Sequence, residues 1–62
     1  MKIEVLRLAE GKKVRIKTRG GKTYIGVLKI QNDTVFIENN MLVMIAPSDV
    51  ISVQVLELEG VQ

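Results

Sequence analysis

The sequence predicts an all-β domain, in which five short, strongly bent antiparallel strands close into a small SH3-like barrel behind a short N-terminal helix. Three observations lead there. Val14, Ile16 and Thr18 alternate with Arg15, Lys17 and Arg19, the period-two pattern of a half-buried strand. Gly20-Gly21, Asn32-Asp33 and Asn39-Asn40 are turn signals set between apolar runs. Gly26 stands in the middle of a further apolar run, where glycine marks a bulge, a sharp bend or a close backbone approach.

The elements follow in chain order. Residues 2–9 can be read as a strand alternating through Ile3 and Val5, or as a helical face of Val5, Leu8 and Ala9. Gly11, a natural helix stop, favours one short helix. Lys13–Arg19 is the first strand, and Gly20-Gly21 is expected to supply the positive φ angles of a tight hairpin. The second strand runs from Lys22 to about Gln31. It sets Tyr24, Gly26, Leu28 and Ile30 on one face and Thr23, Ile25, Val27 and Lys29 on the other. Thr34–Glu38 is the third, with Val35 and Ile37 opposed to Phe36. Met41–Ala46 then gives six apolar residues without alternation, a strand that needs cover on both faces. Such a run is either aggregation-prone and membrane-like or a strand at a subunit interface, and the interface is the reading adopted. Pro47-Ser48-Asp49 makes a short turn. Val50–Glu57 resumes alternation, with Ile51, Val53 and Val55 opposite Ser52, Gln54 and Leu56, and Leu58–Gln62 is expected to fray.

Composition narrows the class. Sixty-two residues make a single domain, 1–62, with its core over about 3–57, close to the lower size limit for independent folding. The chain has one Tyr, one Phe and no Trp, so aliphatic side chains must form the core. Domains this small need a staple. No Cys excludes disulfides, and no Cys with no His excludes the common structural zinc sets. Self-association is the staple left. No signal-type apolar region follows Met1, and no run approaches the ~18 apolar residues of a membrane span, so a soluble, cytoplasmic protein is expected.

The net charge of +2 hides a split. Residues 11–31 hold Lys12, Lys13, Arg15, Lys17, Arg19, Lys22 and Lys29 and no acid. Residues 32–62 hold Asp33, Glu38, Asp49, Glu57 and Glu59 and no base. The split suits a basic face that attracts polyanions, or contact between basic and acidic edges of neighbouring subunits. Catalysis is not expected. His and Cys are missing, and Ser48 and Ser52 have only carboxylates as sequence neighbours. No cofactor is expected. Asp33 and Asp49 read as turn formers before they read as metal ligands.

At this point the chain resembles the Sm-like family, which includes the Sm, LSm and Hfq proteins. Gly11-Lys12-Lys13-Val14-Arg15-Ile16-Lys17 is similar to that family's G-K-x-V-x-V first strand. Gly21-x₄-Gly26-Val27-Leu28 resembles the G-x₄-G-x-L core of its first motif, and Asp49-Val50-Ile51-Ser52 resembles its second. The likeness covers about residues 3–56. It implies a homo-oligomeric ring, a hexamer or heptamer, in which strand 41–46 of one subunit pairs with strand 50–57 of the next.

The resemblance also implies single-stranded RNA as partner. Asn32 stands where the family usually has the Asp of its first pore loop. Thr34 replaces the aromatic that Hfq carries two places further on, and Phe36 replaces the Asn of Sm proteins. Pro47-Ser48-Asp49 replaces the Arg-Gly or Lys-His of the second loop, so the cations of an ordinary pore site are missing. The opposite, basic face is therefore the expected RNA surface, formed by Arg15, Lys17, Arg19, Lys22, Tyr24 and Lys29, with Asn32 as the pore-side contact. Two other readings stay open. One is an oligomeric scaffold that docks proteins and has little RNA affinity. The other is a monomeric SH3-like barrel that binds nucleic acid.

Overall fold

A computed structural model describes residues 1–56. One helical turn, α1 (Ile3–Leu6), passes directly into a 3₁₀ turn (Arg7–Ala9). Five strands follow: β1 (Lys13–Thr18), β2 (Thr23–Gln31), β3 (Thr34–Glu38), β4 (Leu42–Ile45) and β5 (Val50–Val55). All pairings are antiparallel, and they build one sheet in the order β4-β3-β2-β1-β5. The expected strands are therefore present, with Glu57 and the tail Leu58–Gln62 lying outside the described residues.

The helix is short because nothing caps it. Lys2 precedes it without a side-chain cap, and its carbonyl accepts from both Val5 N–H (3.1 Å) and Leu6 N–H (3.3 Å). Its buried side differs from the expected one: Leu6 and Ala9 are buried, whereas Val5 and Leu8 face solvent. The cause is the 3₁₀ turn after Leu6. Tightening to three residues per turn replaces an i, i+3, i+4 face with a strict period of three through Ile3, Leu6 and Ala9. Gly11, at φ +84°, then sends the chain into β1, its N–H bonded to the Leu28 carbonyl at 2.7 Å.

β1 follows the predicted alternation, with Val14, Ile16 and Thr18 buried and Lys13, Arg15 and Lys17 exposed. The turn to β2 differs in detail. Only Gly21 takes a positive φ, +85°, while Gly20 does not. Gly21 N–H bonds the Thr18 carbonyl (3.0 Å) and Thr18 N–H bonds the Lys22 carbonyl (2.9 Å), a three-residue loop whose last residue is left-handed. The second turn is the two-residue type: Asn32 (φ 52°) and Asp33 (φ 63°) are both left-handed, between the paired Gln31 and Thr34.

Gly26 is explained by close approach. A Cβ there would lie 2.6 Å from the Glu38 carbonyl oxygen and 2.8 Å from Ile37 Cγ2. β2 passes close to the end of β3 at this point, and only a hydrogen fits there. β5 carries the other irregularity. Its register with β1 shifts between Lys17 and Thr18, which face Ser52 and Val50, so Ile51 is an extra residue. The bulge changes the expected face only at the start of the strand, since Val53 and Val55 still pair with buried Ile16 and Val14. Val50 is buried at 2%, whereas Ile51, expected beside Val53 and Val55, is 49% exposed.

The core is aliphatic: Leu6, Ala9, Val14, Ile16, Leu28, Val35, Ile37, Ile45 and Val50, with Tyr24 and Ile30 among the residues packed at its margin. Burying one such side chain fully is worth ~1.5–3 kcal/mol. The edge strands β4 and β5 are consecutive in the chain, joined by Ala46 and a 3₁₀ turn at Pro47–Asp49. Edges of a flat five-stranded sheet lie about 19 Å apart at ~4.8 Å per strand, more than this wound connector spans. The sheet therefore curls. No ladder joins β4 to β5 among the described residues, so both outer edges keep unpaired backbone groups.

Candidate nucleic-acid interface

The curled sheet has an inner face that is core and an outer face that carries charge. Cross-strand partners share a face, so the register places Arg15 beside Ile25 and Gln54, and Lys17 beside Thr23 and Ser52, all on the outside. Arg15 and Lys17 are two residues apart, about 7 Å along the strand. Arg15 Nη1 donates to Gln54 Oε1 at 2.9 Å, which holds the guanidinium across the β1–β5 ladder. Neither cation makes an ion pair among the described residues, and the neighbours on β2 and β5 bring no acid. The row is a local excess of positive charge on rigid backbone.

Arg19 does not join that row. β1 ends at Thr18, and Arg19 turns to the β4–β5 connector, its Nε donating to the Ser48 carbonyl at 2.9 Å and its backbone N–H to the Asp49 carbonyl at 2.9 Å. The sequence pattern alone could not show this, because it depends on β1 pairing with β5 and bringing the first hairpin against the connector.

Lys22 and Tyr24 belong to the same neighbourhood. Tyr24 pairs with Ile16, so its ring lies on the inner side and packs at the core margin, away from Arg15 and Lys17. Both Lys22 and Tyr24 line a hollow between the first hairpin and the end of β4, together with Gly20, Met44, Ile45 and Asp49. Sequence reasoning set Asp49 on a pore side and Lys22 and Tyr24 on the opposite face; the fold brings all three to one place.

Lys29 and Asn32 stand apart from both groups. Lys29 Nζ pairs with Glu38 Oε1 across the β2–β3 ladder, so its charge is matched locally. Both partners are more than half exposed, which limits the pair to about 0–1 kcal/mol. Asn32 occupies the left-handed turn, and the neighbouring Asp33 lies 3.8 Å from Arg7 of the helical segment. The expected single basic face is thus divided: an outer row at Arg15 and Lys17, a hairpin cluster at Arg19, Lys22 and Tyr24, and two separate residues.

A second surface feature is apolar. Leu42 and Met44 of β4 and the preceding Met41 are 62–73% exposed, and Ile51 and Val55 of β5 are 49% and 40% exposed. These are the two edge strands of the sheet. Among the described residues no helix is long and apolar enough to cross a membrane. No cluster of three or more acidic, His or Cys side chains able to hold a metal ion occurs among them either.

No family model, no curated protein and no solved structure matches this chain. The resemblance to the Sm-like family rests on the chain's own motifs.

Proposed function

We propose that the chain is an Sm-like, ring-forming subunit that binds single-stranded RNA through its basic surface and performs no catalysis. In this reading the curled sheet is an SH3-like barrel, and β4 of one subunit pairs with β5 of the next to give a hexamer or heptamer. The observation that carries it is the pair of unpaired edges. Both outer strands of one sheet expose apolar side chains and free backbone groups, an arrangement that a lone subunit leaves as an aggregation hazard. Edge-to-edge pairing between unlike strands is heterologous, and such contacts close into rings when the rotation permits. The missing disulfides and the missing Cys/His zinc sets supply the stability argument for assembly.

RNA is favoured as ligand by the row of Arg15 and Lys17, which the ring would repeat around one face. Backbone phosphates are the natural partners of such a row, and the affinity is mainly electrostatic. The test is binding of a fluorescent oligoribonucleotide across a salt series. Affinity should fall steeply between about 50 and 200 mM salt. Replacing Arg15 and Lys17 by Gln should flatten the logarithmic slope by about 1.4 per subunit engaged, at ~0.7 per lost phosphate contact. No binding at low salt by an assembled ring would favour the scaffold reading instead.

A further inference from the structure

We propose that the hollow between the first hairpin and the end of β4 is a base pocket for guanine in single-stranded nucleic acid, with Asp49 reading the base. The inference rests on the RNA reading above and assigns to it a base preference. Three polar groups line one hollow and are unspent: among the described residues, the Tyr24 hydroxyl, the Lys22 ammonium and the Asp49 carboxylate make no hydrogen bond or ion pair. Their backbones, in contrast, are fixed. Lys22 N–H bonds Thr18 Oγ1 and its carbonyl accepts from Thr18 N–H. Asp49 N–H bonds the Ala46 carbonyl (2.9 Å), and the Asp49 carbonyl accepts from Arg19 N–H (2.9 Å). Tyr24 and Met44 sit on paired strands. The backbone positions are thus set by hydrogen bonds, while the polar ends of the three side chains are open to a ligand.

The chemistry selects the ligand. Tyr24 gives an aromatic face, which suits a flat base. Lys22 supplies one cation for the adjoining phosphate. Asp49 is an acceptor with two oxygens. Guanine presents two adjacent donors, N1–H and N2–H₂, that such a carboxylate can bind together. Adenine and cytosine offer one exocyclic amine beside a ring acceptor, and uracil offers a single N3–H between two carbonyls that repel the carboxylate. Asp49 therefore favours guanine and disfavours uracil.

The experiment compares the full-length chain's affinity for a labelled oligouridine with that for the same strand carrying one central guanosine, one inosine or one adenosine. The guanosine strand should bind about tenfold more tightly than oligouridine, the scale of a bidentate base contact. Inosine, which lacks the N2 amine, should lose most of that gain. D49N should bring the guanosine-to-uridine ratio close to one while its thermal melting stays that of the parent chain. Equal affinity for the guanosine and uridine strands, or a ratio unchanged by D49N, overturns the proposal while leaving RNA binding standing. No binding of any strand overturns both. Displacement of the guanosine strand by equimolar guanosine monophosphate would contradict a pocket for a base within a strand.

Discussion

Gly26 is the residue on which the close approach of β2 to the end of β3 depends, and its constraint is steric. The Glu38 carbonyl oxygen stands 2.6 Å from where a Cβ would be, and it is backbone, so it cannot swing away like a flexible side chain. G26A should therefore cost about 1–3 kcal/mol in urea unfolding, the range for overpacking a fixed interior. Gly20 is the control. A Cβ there meets nothing closer than 4.0 Å and its φ is not positive, so G20A should stay within about 0.5 kcal/mol of the parent chain. The sequence made Gly26 legible as a backbone device, because a glycine inside an apolar run gives up packing area and so points to a demand of the main chain. It did not separate Gly20 from Gly21. The two share a turn motif, and which of them becomes left-handed depends on the loop length fixed by the flanking ladder.

At the scale of elements, the bulge in β5 decides which face enters the core. V50A should destabilise by about 1.5–3 kcal/mol, the loss for a fully buried aliphatic side chain, and I51A by less than about 1 kcal/mol. Comparable losses at both positions in urea unfolding would mean that the register runs without the bulge. Strand existence was readable from alternation and turn residues, and β3 was predicted with its observed ends. The bulge was not readable, since Val50, Ile51, Val53 and Val55 satisfy either register in hydropathy alone. The buried side of the helix was hidden in the same way. Leu6 and Leu8 are equally apolar, and only the 3₁₀ turn after Leu6 decides that Leu6 is buried and Leu8 exposed. The candidate site was legible as residue types and not as a place. Arg15 and Lys17 share a face by strand period, but Arg19, Lys22, Tyr24 and Asp49 are gathered by the β1–β5 ladder, a contact between distant parts of the chain.

For the whole molecule, the exposed edges are the feature that most needs a partner. Met41–Ala46 was readable as a strand wanting cover, and in the single chain its Leu42 and Met44 side chains are left in solvent. Leu42 and Met44 contribute little to the subunit's own core, so L42K combined with M44K should leave the far-UV circular dichroism of the fold in place while abolishing assembly in sedimentation velocity. Loss of the fold in that variant would instead assign the two side chains to the subunit's own stability. Native mass spectrometry of the untreated protein tests the central claim most directly, because it reports subunit number and retained nucleic acid together. A single species of six or seven subunits, carrying RNA that dissociates as salt is raised, is the predicted result. A monomer at every concentration, without nucleic acid, would contradict it.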